Sequence, residues 1–587
     1  MKQTYAEKIL GAPKGSIVFC RPDIVLSHDN TASIYNTFLK MGGKIVNDPN
    51  RLMIVLDHNA PPTDALLAND YQSIRDLVKA QGIKKFYDAG SGICHQLMSN
   101  HARPGMIILG SDSHTCTAGA FNALAAGIDR TETAGLWKRG ETWLRVPESM
   151  KITFTGKFSR GVYAKDLSLW IIGMIGAAGA NYMSIEFHGD GVRSLSISDR
   201  MTLANLASEM GAKNAVFPLD NILKEFLGGK DVGIWADEDA DYASEIEIDL
   251  SHVSPLISVP HSVDNVRSVH EVAGIKVHEG LIGTCTNGRI EDIRVAAEIL
   301  RGKKIAYGFQ LLVIPASRDI YLQTIKEGLI TDLVEAGANV LSSSCGPCLG
   351  TGQGIPADGH TVISTANRNF PGRMGNKKAE IYLASPATVA FSALNGFITE
   401  PVKGREYPYK RQAEIVTEIA PGEKRRINGV WNYADVDNLD TDQMFAGNLT
   451  YNIKSSDAGA ILPHLFKNFD TAFADEVKAG DIIVAGENFG CGSSREHPSV
   501  GLAHAGIKAV IVKSVNRIFF RSSVNQGLML VVHPEFVKAY NAGDKVDIDL
   551  EKGYISLNDE RFRFEPLPGK LLEIIKKKGL VNWMKEL

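Results

Sequence analysis

Residues 52–58 read LMIVLDH, a run of five apolar residues that ends in an aspartate and a histidine. An amphipathic stretch follows at 71–80, and a second apolar run at 105–110 again leads into polar residues. Short apolar runs that alternate with amphipathic stretches are typical of parallel strands covered by helices. The same rhythm returns at 277–283, 310–315 and 339–344. The sequence therefore predicts an α/β fold with polar residues gathered at the carboxyl ends of its strands.

The composition indicates a globular protein, since 44% of the 587 residues are hydrophobic and 22% are charged. The 63 Lys and Arg against 67 Asp and Glu give a formal net charge of −4, so no nucleic-acid partner is expected. The first residues lack the apolar core of a signal peptide, and the longest apolar run, 167–180, is shorter than the roughly 20 residues that cross a bilayer. We predict a buried helix at this run, and no membrane partner.

Seven cysteines are few for this length, and their number is odd. This argues against a disulfide framework and for a reducing compartment, so a cytoplasmic protein is predicted. Prolines at 401, 408 and 421 and the basic cluster 424–426 interrupt the periodicity, which predicts a linker at 401–428. Residues 429–587 are long enough for a domain, with strands predicted at 481–485 and 509–512 and a hairpin near 545–563.

The sequence Cys345-Gly-Pro-Cys348 is the strongest local motif. A structural zinc site is one interpretation, but no second cysteine or histidine pair follows at suitable spacing. A thioredoxin-like redox pair is another, although residues 349–354, LGTGQG, are a poor helix start. Two buried thiols without a role are the third. The interpretation that we favour adds Cys285, because three cysteines can hold a [4Fe–4S] cluster and leave one iron open to substrate as a Lewis acid.

Histidines and aspartates recur after the apolar runs. Asp57 and His58 follow the first run, His95 lies in the turn 92–95, and Asp112 and His114 follow the run at 105–110. A single histidine usually serves only as a hydrogen-bonding residue. Three near strand ends, two of them beside an aspartate, point to oriented imidazoles that move protons.

Two further segments suit anionic groups. The loop 367–373, NRNFPGR, holds two guanidinium groups, which fit carboxylates, although it is also compatible with a solvated basic turn. The segment 488–497, NFGCGSSREH, offers backbone N–H groups before a predicted helix, although a turn without a ligand remains possible. A Lewis acid, proton-moving groups and carboxylate clamps together fit elimination of water from a hydroxy-di- or tricarboxylate.

These motifs resemble the aconitase superfamily of iron–sulfur hydro-lyases, in particular its 3-isopropylmalate dehydratase and homoaconitase branch. The segments that resemble the large subunit are 27–31, 57–59, 90–96, 110–116, 200–202, 367–373 and the three cysteines. Those that resemble the small subunit are 438–443, 490–497 and 517–521. Both parts stand in one chain, so no separate small subunit is expected. The resemblance implies three related α/β domains in 1–400 (about 1–135, 136–265 and 266–400) around the cluster, and a swivelling α/β domain at 429–587.

The resemblance also implies residue roles. Cys285, Cys345 and Cys348 would ligate one [4Fe–4S] cluster per chain. Ser493 would be the base, and His58 with Asp57 would protonate the leaving hydroxyl. The residues expected to orient the reacting groups are His95, Asp112, His114 and Glu209. Those expected to bind the substrate or complete its hydrogen-bond network are His28, Ser113, Asn205, Asn367, Arg368, Arg373, Ser494 and Arg495.

In this family the loop after the Asp-Thr-Asp motif, here 444–451, meets the variable group of the substrate. Homoaconitase-like loops carry an arginine there, whereas this loop has none and the nearest cation is Lys454. An uncharged loop suits an apolar substituent, because a buried carboxylate without a cation is costly. His28 also resembles the isopropylmalate branch. Conversion of 2-isopropylmalate to 3-isopropylmalate, in leucine synthesis, is therefore predicted.

Other functions stay open. Gly447 and Asn448 stand where arginine and tyrosine are common, which leaves dimethylmalate dehydratase, homoaconitase and aconitase as alternatives. A cluster-sensing RNA-binding regulator is an alternative of another class, disfavoured by the net charge. A thioredoxin-like reductase built on Cys345 and Cys348 is a third.

Overall fold

The computed structural model describes residues 2–229, 231–409, 416, 418–420, 422–450, 453–492, 495–550 and 552–586, with Asn448 by its main chain only. Within these residues the chain builds four sheets of four or more strands. Mixed α/β architecture is thus confirmed. The predicted base Ser493, its neighbour Ser494 and the loop residue Tyr451 lie outside the described residues.

The first sheet is parallel, and its five strands lie in the order Lys85–Tyr87, Leu52–Val55, Ile24–Ser27, Ile107–Gly110, Leu124–Gly127. Of these strands, the first in the sequence, Ile24–Ser27, is the central one. The next two strands in the sequence lie on one side of it, and the last two lie on the other side. Such a reversal opens a crevice at the carboxyl ends of the two central strands. His28 and Asp112 follow these two ends. The helices of this region are Tyr5–Leu10, Thr31–Lys40, Ala65–Gln81, Cys94–Met98 and Arg130–Arg139, and a small antiparallel ribbon joins Ile17–Cys20 to Thr142–Arg145.

The helix Ala65–Gln81 shows why the predicted rhythm holds. Asp64 caps its first turn by accepting from Leu67 N, and Gly82 ends it with φ +68°, a conformation that favours glycine. Its buried residues are Leu67, Tyr71, Ile74 and Leu77, three or four apart, so one face packs against the sheet. The strand Leu52–Val55 beneath is buried throughout, as expected for a sheet with both faces covered.

The second sheet is also parallel, in the order Asn214–Val216, Ser184–His188, Ser149–Thr155, Ser244–Asp249. Its helices are Ala164–Ile175, Ile197–Leu206 and Asn221–Leu227. The helix predicted at 167–180 was wrong in its bounds. The observed helix, Ala164–Ile175, starts three residues earlier and ends at Ile175 because Gly176 takes φ +88°.

The third sheet has seven strands in the order Val266–Ser268, Leu256–Ser258, Glu380–Ala384, Thr361–Ser364, Glu279–Gly283, Gln310–Ile314, Asn339–Val340. The first two are antiparallel to their neighbours and the rest are parallel. The order again reverses, between Glu279–Gly283 and Thr361–Ser364, so Cys285 and Asn367 follow adjacent strands. The predicted strand 339–344 shrinks to two residues because the turn toward Cys345 starts there. The helices are Thr284–Asn287, Ile290–Leu300, Arg318–Lys326, Leu329–Ala336 and Pro386–Asn395.

The C-terminal part has a five-stranded sheet in the order Arg426–Ile427, Val430–Tyr433, Ile482–Ala485, Ala509–Val512, Leu530–Val532. Its first strand falls within the stretch predicted as a linker. The hairpin predicted near 545–563 is a three-stranded antiparallel sheet, Val546–Asp549, Tyr554–Leu557 and Glu560–Arg563, because two turns, at Gly553 and Asn558, have positive φ. The helices are Thr441–Met444, Ala458–Ile461, Phe473–Glu476, His497–His504, Arg517–Asn525, Pro534–Ala539, Gly569–Lys576 and Leu580–Lys585.

Candidate active site

A cavity of about 850 Å³ lies where the reversal points of the first and third sheets meet the C-terminal part. Most of the predicted site residues line it: His28, His58, His95, Asp112, Ser113, His114, Glu209, Cys285, Cys345, Cys348, Asn367, Arg368, Arg373 and Arg495. Asp57 and Asn205 lie behind this wall, in contact with lining residues. The tertiary structure thus gathers residues from four regions of the sequence around one space.

Asp57 orients His58. Its Oδ1 lies 2.7 Å from His58 Nδ1, and its Oδ2 accepts from the backbone N–H of Cys94 at 2.6 Å. Burial alone would lower the pKa of His58, but the carboxylates of Asp57 and Asp112 outweigh it and raise the pKa well above its usual value. His58 is therefore a protonated imidazole at neutral pH, able to donate a proton into the cavity.

Asp112 connects two imidazoles. Its Oδ1 lies 2.7 Å from His95 Nε2, and its Oδ2 lies 3.3 Å from His58 Nε2. It also caps the 3₁₀ helix Ser113–Phe121 by accepting from the backbone N–H of His114. Burial would raise the pKa of Asp112, yet His95 and the other donors hold it well below its usual range. The ionised carboxylate thus fixes the orientation of both rings.

Glu209 links His114 to an arginine. Its Oε1 lies 2.6 Å from His114 Nε2, and both of its oxygens accept from Arg368 Nε, at 3.0 and 2.9 Å. Burial would raise its pKa, but Arg368 and His114 bring the pKa of Glu209 down to about 2. The site therefore holds a permanent carboxylate that positions one imidazole and one guanidinium.

His28 stacks on His58, with ring centroids 3.7 Å apart. Its Nε2 lies 2.8 Å from Asn30 Nδ2. Burial and the neighbouring charge on His58 lower the pKa of His28 well below its usual value. His28 is thus a neutral ring beside a charged one, suited to bind rather than to donate a proton.

The three predicted ligand cysteines are free thiols on the cavity wall. Cys285 receives N–H contacts at its Sγ from Asn205 Nδ2 at 3.4 Å and Asn367 Nδ2 at 3.6 Å, and Cys348 Sγ lies 3.8 Å from a terminal nitrogen of Arg373. Donors aimed at sulfur suit thiolates bound to metal. Burial raises the pKa of Cys285 to about 12, so metal cations are needed to keep it a thiolate. The cysteines and their donors therefore fit an iron–sulfur cluster.

The alternatives for the Cys345–Cys348 motif fit less well. Two groups of three or more donor atoms lie within 4.8 Å of one another among the described residues, His28 with Asp29, Asp57 and His58, and His95 with Asp112 and His114. Neither contains a cysteine, which disfavours a compact zinc site at this motif. The motif opens only the short 3₁₀ turn Gly346–Leu349, which ends at Gly350, rather than the helix that follows a thioredoxin-like pair.

Arg495 reaches the cavity from the C-terminal part. Its two terminal nitrogens donate to the two carboxylate oxygens of Asp442 at 2.7 and 2.9 Å, and one of them also donates to the main-chain oxygen of Phe445. Four other cavity-lining cations were missed from the sequence: Arg130, Lys377, Lys378 and Arg517. Arg130 follows the strand Leu124–Gly127 of the first sheet. A search for polar residues just after apolar runs, which identified Asp112, would also have identified Arg130.

The sequence model of the aconitase family (aconitate hydratase) matches residues 2–396, and that of the aconitase C-terminal domain matches residues 423–535. The chain belongs to the aconitase family. The family predicted from the motifs is thus confirmed, as are the α/β fold class and the enzyme class, hydro-lyase. Membership implies an iron–sulfur cluster.

Relatives of this aconitase-family chain include two large subunits. It is 45% identical to 3-isopropylmalate dehydratase large subunit 1 of Methanopyrus kandleri, over 68% of this chain and 99% of that protein. It is also 45% identical to a probable methanogen homoaconitase large subunit of Methanosarcina mazei, over 65% and 98%. A crystal structure of 3-isopropylmalate dehydratase (leuD) from Methanocaldococcus jannaschii is 39% identical and covers 26% of this chain and 88% of that chain, with a TM-score of 0.24.

Among the described residues, no helix has the length and apolar character needed to cross a membrane.

Proposed function

We propose that this aconitase-family hydro-lyase converts 2-isopropylmalate to 3-isopropylmalate by dehydration and rehydration, with a [4Fe–4S] cluster held by Cys285, Cys345 and Cys348. Support for the ligands comes from their shared cavity and from the N–H groups directed at two of the sulfurs. When bound, the cluster supplies a Lewis-acidic iron without a cysteine ligand, which polarises the leaving hydroxyl.

The side chains of this chain account for the proton movements. Ser493, outside the described residues, is proposed as the base that takes the proton next to a substrate carboxylate. Gly492, which precedes it, and Arg495, two residues later, line the cavity. His58 then donates its proton to the departing hydroxyl, so that the C–H and C–O bonds break and one water leaves. Asp57 stabilises the imidazolium that donates. Addition of water to the other carbon, by the reverse steps, gives the isomer.

Binding and orientation fall to the remaining residues. His95, Asp112 and His114 are proposed to surround the hydroxyl and water. Glu209 holds His114 in this network, and Asn205 contacts the proposed ligand Cys285. Arg368, Arg373 and Arg495 are proposed as the carboxylate clamps, because planar guanidinium groups match carboxylates. Four uncharged side chains are proposed to complete the substrate site: His28, Ser113, Asn367 and Ser494.

One observation carries the choice of substrate. The loop that reaches the cavity contributes Ala446, Gly447 and Thr450 to its lining, and none of these bears a charge. Lys454, the nearest cation in the sequence, faces Asp70, with Nζ 3.5 Å from its carboxylate, and does not line the cavity. An apolar substituent is better matched to such a wall than a third carboxylate is.

Homoaconitase activity is the second candidate, because of Lys377. This amine lines the cavity and donates to Asn468 of the C-terminal part. Burial lowers the pKa of Lys377, while Asp442, Glu418 and Asp440 favour its charged form. Since burial disfavours the charged form of this amine, we rank a tricarboxylate below an alkylmalate.

The deciding experiment is anaerobic reconstitution with iron and sulfide, followed by hydration and dehydration assays on 2-isopropylmalate, 2,3-dimethylmalate, citrate and homocitrate. We expect turnover of an alkylmalate, and loss of the cluster absorption in Cys345→Ala but not in Cys20→Ala, whose thiol lies outside the cavity. Lys377→Met separates the candidates. If the amine of Lys377 binds the third carboxylate of homocitrate, the variant should have a higher KM for homocitrate. If the enzyme acts on 2-isopropylmalate as proposed, the variant should have a nearly unchanged KM for that substrate.

A further inference from the structure

Lys165 is a buried cation that has no acidic partner among the described residues. It is the second residue of the helix Ala164–Ile175, and its side chain is 0% exposed. Its Nζ donates to the main-chain oxygens of Thr365 at 3.1 Å and Ala366 at 2.6 Å. In the part of the chain that the structure describes, no carboxylate forms an ion pair with it. A buried ammonium that lacks a counter-ion is strongly destabilising, which raises the question of what balances Lys165.

The adjacent Asp166 does not provide the balance. Its Oδ1 accepts from the backbone N–H of Leu256 at 3.0 Å, and its Oδ2 accepts from that of Tyr163 at 2.9 Å. These bonds direct the carboxylate to the start of its own helix and to the third sheet. Burial also raises the pKa of Asp166 to about 7.

The carbonyls that Lys165 holds belong to the turn beside the cysteines. Thr365 Oγ1 accepts from the backbone N–H of Gly283 at 2.9 Å, two residues before Cys285. Ala366 precedes Asn367, whose Nδ2 lies 3.6 Å from Cys285 Sγ and whose Oδ1 lies 3.9 Å from Cys348 Sγ. Lys165 therefore fastens one short turn that contacts two of the three proposed ligands.

The electrostatic surroundings point the same way. Burial lowers the pKa of Lys165 to about 7, and the groups that oppose this most are the sulfurs of Cys348 and Cys285, ahead of Glu209. Three thiolates on a [4Fe–4S]²⁺ core carry one net negative charge. Lys165, which does not line the cavity, could neutralise this negative charge without blocking access to the cavity.

We infer that Lys165 is a positioning residue whose ammonium is the counter-charge of the cluster thiolates and which holds the turn 365–367 against Cys285 and Cys348. The inference rests on the ligands assigned under the proposed function. It makes no claim about the substrate.

The test compares the reconstituted wild type with Lys165→Gln, which keeps N–H donors for the two carbonyls but removes the charge. We expect a more negative reduction potential of the cluster, because the reduced state loses a nearby cation, and a roughly 10- to 100-fold faster loss of iron to a chelator. Lys165→Arg should restore both values toward those of the wild type. If Lys165→Gln fails to fold, Lys165→Met provides a second neutral variant.

Lys213→Met is the matched control. Lys213 is also buried, at 2% exposed, and among the described residues its ammonium has no hydrogen-bond partner. The charges that act on it most are those of Arg521 and Arg517 rather than those of the proposed ligand cysteines, so its removal should not move the potential. A wild-type potential in Lys165→Gln, or an equal shift in Lys213→Met, would overturn the inference. Absence of cluster in the wild type, or its retention in Cys345→Ala, would instead refute the ligand assignment.

Discussion

Glu132 and Arg521 form a buried ion pair between the helices Arg130–Arg139 and Arg517–Asn525, with Arg521 Nε 2.9 Å from Glu132 Oε2. Both side chains are at most 2% exposed, and the guanidinium lies 3.7 Å from the centroid of the Trp143 ring. The two residues are 389 positions apart in the sequence. This pair therefore attaches the C-terminal part to the helix that follows the strand Leu124–Gly127 of the first sheet.

Arg521→Met is expected to destabilise the protein by about 3–5 kcal/mol, because it leaves a buried carboxylate without its partner. A clearly lower apparent Tm in a thermal scan of the cluster-free protein would show this. Arg294→Met is the control, since it removes an exposed pair with Glu327 and should cost less than about 1 kcal/mol. Similar Tm shifts in both variants would contradict the role given to the buried pair.

Asp57→Asn should move the alkaline limb of the kcat/KM profile to lower pH. The pKa of His58 is raised in the folded protein mainly by Asp57, against the opposing effect of burial. A proton donor works below its pKa, so a lower pKa narrows the active range from the alkaline side. The same raised pKa stabilises the fold below about pH 6.5, and this stability is lost as the pH rises through the folded pKa.

The control for that profile is Asp88→Asn, which alters a half-exposed ion pair with Arg75. Its profile should match that of the wild type. An unchanged alkaline limb in Asp57→Asn would remove His58 as the proton donor.

Thr450→Arg should favour tricarboxylates. A guanidinium in the uncharged part of the cavity wall can pair with a third carboxylate, and such a bond contributes about 1.5–3 kcal/mol. We therefore expect the ratio of kcat/KM for homocitrate to that for 2-isopropylmalate to rise roughly 10- to 100-fold. Lys454→Arg, outside the lining, should leave the ratio unchanged. No change in Thr450→Arg would show that another element reads the substituent.

Gly119→Ala should disturb the fold and the site together. A Cβ at this position would lie 1.8 Å from the main-chain oxygen of Ala215, and backbone cannot move aside easily. Gly119 belongs to the 3₁₀ helix that carries His114, so we expect a loss of about 1–3 kcal/mol or more and reduced kcat. Gly459→Ala, where the Cβ meets only Asp457 at 3.7 Å, should be neutral or slightly stabilising in urea unfolding.

Local sequence was sufficient for much of the candidate site. The strand-end positions of Asp57, His58 and Asp112 follow from apolar runs that end in polar residues, because parallel strands present their carboxyl ends at one edge of a sheet. Periodicity was less reliable for element ends. The helix expected at 167–180 ends at Ile175 because one glycine adopts a positive φ, which an apolar pattern does not reveal.

Local patterns were enough to predict the α/β class, the family and the residue types that the chemistry needs, because strand and helix periods and contiguous motifs are local properties of the chain. The partners of these residues depend on the folded structure: Glu209 with Arg368, Arg495 with Asp442, and Lys165 with the turn beside the cysteines. These contacts join segments that are 53 to 201 residues apart. Spacing along a chain does not encode such distances, since they depend on how the separate sheets pack around the cavity.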